Sequence, residues 1–443
     1  MMNINDEEIY TPEEKREFRR QRRIKNLIFA YIGLVVVLIA LIAGSIFGVR
    51  LLTKMLNKTE RPEQNEQMGE AGQTIEEDWS VPEETEIIVE QDEEALLDEI
   101  IAARISEMTL EEKVAGLFMV QPEAITGVDL AIQAGEGTKT ALEKYPVGGI
   151  VYFRDNIKSE EQIKEMLVNT EAYSRFPVFL AVDEEGGTVT RVAGALGLEN
   201  IGSMADIGAA GDSNQAYEAM KTVGSYLDGY GFNLNFAPVA DVLTNSDNEA
   251  IGTRSFGSDA NLVADMVVAS VNGLKDTGIT ACIKHFPGIG SADGDTHNGL
   301  VVIDRSLEEL QQEELVPFVK AIEADVPMIM VGHISLPQII GDNTPASISE
   351  AVITDLLRVQ LGFNGVIITD AMNMKVITEY YGADEAAIMA FRAGADMVLM
   401  PENYELAAAG VVAAVQEGTI SEERINDSLT RVYRIKFADA VGE

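Results

Sequence analysis

Apolar residues along this chain fall into short, nearly unbroken runs. Ala115–Val120, Gly149–Phe153, Val178–Val182, Leu234–Val239, Thr280–Lys284, Met328–Gly332, Gly365–Thr369 and Met397–Met400 are the clearest. Runs of this length predict strands buried on both faces, since a half-exposed strand would alternate apolar and polar residues. Between them, Glu160–Ala172, Asn261–Thr277, Ser306–Ala324 and Ser349–Gln360 carry apolar residues at helical spacing. Strand–helix repetition implies a parallel sheet, and eight such units predict an α/β fold of the (β/α)8 TIM-barrel type. The competing architecture is a doubly wound open sheet, which carries a Gly-rich phosphate turn after its first strand. Val120-Gln121-Pro122-Glu123 is not such a turn.

The N-terminal part follows a different pattern. No charged residue occurs from Asn26 to Val49. About 20 apolar residues suffice to cross a bilayer as a helix, whereas a cleaved signal has an apolar core of only about 7–15. The segment therefore reads as a retained transmembrane anchor. Lys15, Arg16, Arg19, Arg20, Arg22, Arg23 and Lys25 precede it more densely than Arg50, Lys54, Lys58 and Arg61 follow it. The denser side stays in the cytoplasm. From Pro62 to Ile100 there is no Lys or Arg, but Glu and Asp are frequent, as expected of a self-repelling spacer. The expected organisation is a basic cytoplasmic tail (1–25), a single-pass anchor (26–49), an acidic disordered linker (50–95) and an extracytoplasmic barrel domain (96–443).

Composition narrows the function. A net charge of −40 argues against nucleic-acid binding, which needs a basic face. The single cysteine, Cys282, lies within a predicted strand and reads as a small buried apolar residue.

Candidate chemistry concentrates at the predicted strand ends. Strand three runs into Asp183-Glu184-Glu185-Gly186-Gly187, and strand four leads to Asp241 and then Arg254. Strand five ends in Lys284-His285, strand six in His333 and strand seven in Asp370. In a barrel these ends ring one mouth, the active-site face. After Lys284-His285 comes a glycine-containing loop with the triplet Asp295-Thr296-His297, and two of the chain's three histidines lie within these few residues. Zinc could in principle use His285, His297 and His333, but no His-x-x-x-His or His-Glu-x-x-His spacing is present, so the reading includes no metal or other cofactor. There is also no Gly-x-Ser-x-Gly elbow and no phosphate-binding Gly-x4-Gly-Lys loop. Carboxylates paired with histidine suit proton transfer and displacement at a sugar acetal. Asp370, at the end of an apolar strand, suits a nucleophile. Asp295 can orient His297 and raise its basicity, which suits a general acid/base.

Together these motifs resemble glycoside hydrolase family 3, specifically its β-N-acetylhexosaminidase branch. Met108-Thr109-Leu110-Glu111-Glu112-Lys113-Val114, Val147-Gly148-Gly149-Ile150, Asp183-Glu184-Glu185-Gly186-Gly187, Arg254-Ser255-Phe256-Gly257, Lys284-His285-Phe286-Pro287-Gly288 and Thr369-Asp370-Ala371-Met372 follow in the family's order. The resemblance implies that Asp370 is the nucleophile, forming a covalent glycosyl-enzyme, and that His297, oriented by Asp295, is the acid/base. Other family members take a carboxylate from a second domain; here the chain runs about one helix pair past strand eight, so the loop triplet is expected to serve instead. Asp183, Arg254, Lys284 and His285 would bind the terminal sugar, with Arg191 supporting them. Three residues depart from the family pattern: Thr188 replaces a common Arg, Ile289 a common His, and Glu184 a common Gln.

The sequence thus reads as a membrane-anchored, retaining exo-β-N-acetylhexosaminidase acting on β-linked N-acetylglucosaminides, such as cell-wall or chitin fragments. The alternatives are a β-glucosidase or phosphorylase of the same family, or a non-catalytic surface sugar-binding protein. The segment from Pro287 to Gly294 is expected to act as a hinge-like arm.

Overall fold

The computed structural model describes residues 84–294 and 299–438. The tail, the apolar run 26–49 and the linker up to residue 83 lie outside the described residues, as do Asp295 and His297. Among the described residues no helix is long and apolar enough to cross a membrane.

A nearly closed barrel of eight parallel strands forms the centre of the compact unit Ala95–Ala438. Its strands are β1 (Phe118–Val120), β2 (Gly149–Tyr152), β3 (Phe179–Val182), β4 (Leu234–Asn235), β5 (Thr280–Phe286), β6 (Met328–Val331), β7 (Val366–Thr369) and β8 (Val398–Leu399). Each pairs with its sequence neighbour, and β8 returns to β1 through the registers Phe118↔Val398 and Met119↔Leu399. A single bridge, Ile368↔Met397, joins β7 to β8. All strand positions except Thr280 are buried, which is why the strands read as apolar runs rather than alternating ones.

All eight expected strands form, most of them shorter than the apolar runs. β5 is the exception and extends two residues further, through His285 to Phe286. The segment expected to be one helix over 306–324 is two, Leu307–Gln312 and Val316–Glu323, with Pro317 in the first turn of the second. Proline lacks an N–H and clashes with the turn before it, so it starts a helix more readily than it continues one. Helix starts follow local rules. Thr109 with Glu112 and Ser306 with Glu309 form reciprocal capping boxes. A helix over Glu84–Ser106 begins within the stretch read as acidic spacer.

At the N-terminal end of the barrel, Asp396, just before β8, is fully buried. Three arginines from two helices surround it: Arg358 at 2.6 Å, Arg431 at 3.0 Å and Arg424 at 3.6 Å. It also accepts hydrogen bonds from Ile367 N and Ser428 Oγ. This carboxylate ties the helix Ala351–Gln360 and the last helix, Glu422–Lys436, to the sheet. Asp396→Ala would leave three guanidiniums close together without their shared anion. We expect it to cost about 3–5 kcal/mol in urea unfolding; a loss under about 1 kcal/mol would mean the cluster behaves like a surface ion pair.

Candidate active site

The C-terminal ends of the strands carry a charged floor. On β5, Lys284 is 3% exposed and its Nζ lies 2.5 Å from Asp183 Oδ1 and 2.6 Å from Glu185 Oε1. Glu185, 2% exposed, also takes a two-pronged contact from Arg254, with Nε and Nη2 each 2.8 Å from a carboxylate oxygen. Two anions and two cations therefore alternate in one network, and the fork-to-carboxylate geometry fixes the guanidinium plane. Burial pushes Glu185 up, but Lys284 and Arg254 outweigh it and hold the carboxyl down at about 2. Burial pulls Lys284 down, and Asp183 with Glu185 more than reverses this.

Asp183 and Glu185 point together because side chains in an extended segment alternate sides. Glu184, between them, faces away. It accepts N–H groups from Val192 at 2.6 Å and Ala193 at 3.0 Å and the Tyr226 hydroxyl at 2.8 Å. Its burial nevertheless raises its pKa. These bonds use both oxygens of the side chain, whereas the glutamine common at this position would offer only one. They hold the start of the short helix Val192–Leu196, directly after Arg191. The Arg191 guanidinium lies 5.7 Å from the centre of the Phe153 ring at the end of β2. Its Nε is buried and has no hydrogen-bond partner among the described residues.

Asp241 and His285 form a second cluster. Asp241 is fully buried, and its Oδ2 lies 2.8 Å from His285 Nδ1. Its Oδ1 accepts Ile289 N–H at 2.7 Å. The same stretch is pinned from the far side: Asn248 donates to Ile289 O at 2.7 Å, Asn245 N–H to Gly290 O at 3.2 Å and Asn245 Nδ2 to Ala292 O at 3.1 Å. At Gly290 an added Cβ would sit 1.9 Å from Val242 O, so only glycine lets the two backbones meet. The expected hinge-like arm is thus packed in place from Ile289 to Ala292, and Ile289, where histidine is common, is buried.

Asp370 stands directly after β7, with its Oδ1 accepting Ala371 N–H at 2.7 Å. Burial pushes its carboxyl up. The imidazoles of His333 and His285, the Ala371 N–H and Lys284 together prevail and hold it below its ordinary value. His333 is itself held between Ser347 Oγ at 2.6 Å and Ala371 O at 3.0 Å.

Of the expected site residues, Asp183, Arg254, Lys284, His285 and Asp370 meet at one end of the barrel, with Arg191 beside β2 and β3. The sequence assigns no role to Glu185 and Asp241, although both follow barrel strands, β3 and β4, into the mouth. The position of Glu185 two residues after Asp183 was the available signal. An ionised carboxylate is thus held at a strand end beside charged and polar groups, the kind of cluster that small polar ligands occupy.

Comparison with known proteins agrees with this class. The model of the glycosyl hydrolase family 3 N terminal domain matches residues 109–435. The chain belongs to glycosyl hydrolase family 3. It is 32% identical over 326 residues to Beta-hexosaminidase A of Pseudoalteromonas piscicida, covering 67% of this chain but 54% of that protein, so it spans about half of that relative's length. It is 34% identical over 299 residues to Beta-hexosaminidase of Chromobacterium violaceum, covering 66% of this chain and 82% of that protein. A solved family 3 beta-N-acetylglucosaminidase from Paenibacillus sp. superposes with a TM-score of 0.70 at 37% identity, covering 76% of this chain and 64% of that one. Beta-N-acetylhexosaminidase from Beutenbergia cavernae gives 0.65 at 30% identity, covering 74% and 99%.

Since the fold lowers the Glu185 carboxyl from 4.5 to about 2, its contribution to stability is complete above the upper value and disappears as pH falls toward the lower. Glu185→Gln removes that dependence. Between about pH 5 and 2 the wild-type chain should lose roughly 3 kcal/mol more unfolding free energy than the variant. Equal slopes in urea titrations across this window would contradict the ion network.

Proposed function

We propose that the protein is a retaining exo-β-N-acetylhexosaminidase that removes terminal β-linked N-acetylglucosamine. The observation that carries this reading is Asp370, a carboxylate kept ionised at a strand end next to the Lys284–Arg254–His285 floor. The names of the similar proteins point to the same substrate class.

In this reading Asp183, Arg254, Lys284 and His285 hold the hydroxyls of the sugar, supported by Arg191. Asp370 attacks the anomeric carbon. The bond to the leaving oxygen breaks as His297, oriented by Asp295, gives that oxygen a proton. The result is a glycosyl-aspartate ester and a free alcohol. Water then attacks the same carbon and gives its proton to His297, and the ester bond breaks to return Asp370 as a carboxylate. Two inversions give net retention. We also propose that the run 26–49 anchors the protein, with the barrel outside the cytoplasm. The charge asymmetry around that run supports this.

Asp370→Ala should abolish turnover of aryl β-N-acetylglucosaminides. His297→Ala should slow substrates with poor leaving groups by about 10²–10⁴-fold and good ones far less, since good leaving groups need no acid; full activity on a poor leaving group would remove His297 from this role. Because Asp370 must be ionised and its pKa is lowered, the acid limb of kcat/KM should lie below the pH at which an ordinary aspartate titrates. Faster cleavage of aryl glucosides than of N-acetylglucosaminides would overturn the substrate assignment, and turnover requiring inorganic phosphate would indicate a phosphorylase. Recovery of the full-length protein in the soluble fraction of cells would count against the anchor.

A further inference from the structure

Asp241 is fully buried and makes no ion pair with the Lys284–Arg254 network. Its bonds go elsewhere: to the His285 ring at Nδ1, 2.8 Å away, and to the backbone N–H of Ile289, 2.7 Å away. It also lies 3.3 and 3.4 Å from the backbone N of His285. A carboxylate only accepts hydrogen bonds, so Nδ1 of His285 must carry a hydrogen. That leaves Nε2 as the nitrogen available to a ligand.

His333 provides the contrast. Its Nε2 lies 3.0 Å from the carbonyl oxygen of Ala371. A carbonyl also only accepts, so here Nε2 carries the hydrogen, and Nδ1 meets the Ser347 hydroxyl at 2.6 Å. Two buried histidines of one barrel mouth are thus held with opposite ring nitrogens donating, each decided by the oxygen opposite it.

We propose that Asp241 is a positioning residue that holds His285 as an Nδ1 donor, with Nε2 presented to the sugar, and that its other oxygen fastens the chain at Ile289. One side chain thereby fixes both a ligand-binding ring and the start of the loop that follows it. The part concerning the sugar rests on the glycosidase reading above. The part concerning the ring does not.

Asparagine in place of Asp241 separates the two bonds. Its oxygen can still accept Ile289 N–H, while its amide presents a donor to His285 Nδ1. The ring must then accept at Nδ1 and carry its hydrogen on Nε2, so that the nitrogen presented to the sugar changes from acceptor to donor. With only three histidines in the chain, ¹⁵N-imidazole spectra resolve each ring, and the spectrum of His285→Gln assigns the signal. In the wild-type protein we expect a hydrogen on Nδ1 of His285 and on Nε2 of His333. In Asp241→Asn we expect the His285 hydrogen on Nε2 alone, a thermal midpoint close to wild type, and kcat/KM for aryl N-acetylglucosaminide reduced roughly 5- to 100-fold, mainly through KM. A wild-type His285 with hydrogen on Nε2 alone would overturn the proposal. So would Asp241→Asn retaining both the wild-type ring state and wild-type KM. If the variant does not fold, the wild-type spectrum decides by itself. If the wild-type protein cleaves no N-acetylglucosaminide, the spectra still decide what Asp241 does to His285, and only the glycosidase reading fails.

Discussion

The mouth of this barrel depends on one buried charge alternation, Asp183–Lys284–Glu185–Arg254. Removing any charge from water is costly, and burying two cations in an apolar barrel is affordable only if anions of matching geometry are buried with them. Glu185 meets this requirement for both cations, and Asp183 adds a second anion for Lys284. The arrangement leaves the cations rigid, and Lys284, with two of its three N–H groups directed at Asp183 and Glu185, keeps a donor that could meet a hydroxyl. It also adds to the electrostatic environment of Asp370, where Lys284 supplements the larger effects of His333, His285 and the Ala371 N–H.

The barrel has a comparable solution at each end, used for different purposes. At the N-terminal end, Asp396 sits among three arginines and joins the strands to two outer helices. Besides the arginines, its oxygens accept the backbone N–H of Ile367 and the Ser428 hydroxyl. At the C-terminal end the charges stand beside Asp370, whose carboxyl His333, His285, the Ala371 N–H and Lys284 hold below its ordinary value. The division follows the usual one for this architecture, with stability features at one face and chemistry at the other.

Next to the C-terminal charges lies the second cluster, Asp241 with His285. It links the chain after β4, the end of β5 and the chain at Ile289 through one side chain. Asn245 and Asn248 hold the same stretch from outside. The loop that leaves β5 is therefore anchored at its root by several independent bonds, and Ile289–Ala292, within the segment expected to be a hinge-like arm, are pinned into the packed structure.

Sequence by itself determined the barrel and most of the mouth. Strands buried on both faces must be apolar throughout, so eight runs marked eight strands, and the polar residues closing several of those runs marked the barrel mouth. Asp183, Lys284, His285 and Asp370 were legible for that reason. Strand lengths were less so, because an apolar residue beyond the last ladder bond packs as well as one within it. Only the tertiary structure decided who pairs with whom. Glu185 serving Arg254 across 69 positions of chain, Asp241 choosing the donor nitrogen of His285, and Gly290 meeting Val242 are long-range coincidences of geometry. Their energies depend on distances and burial that no local pattern encodes.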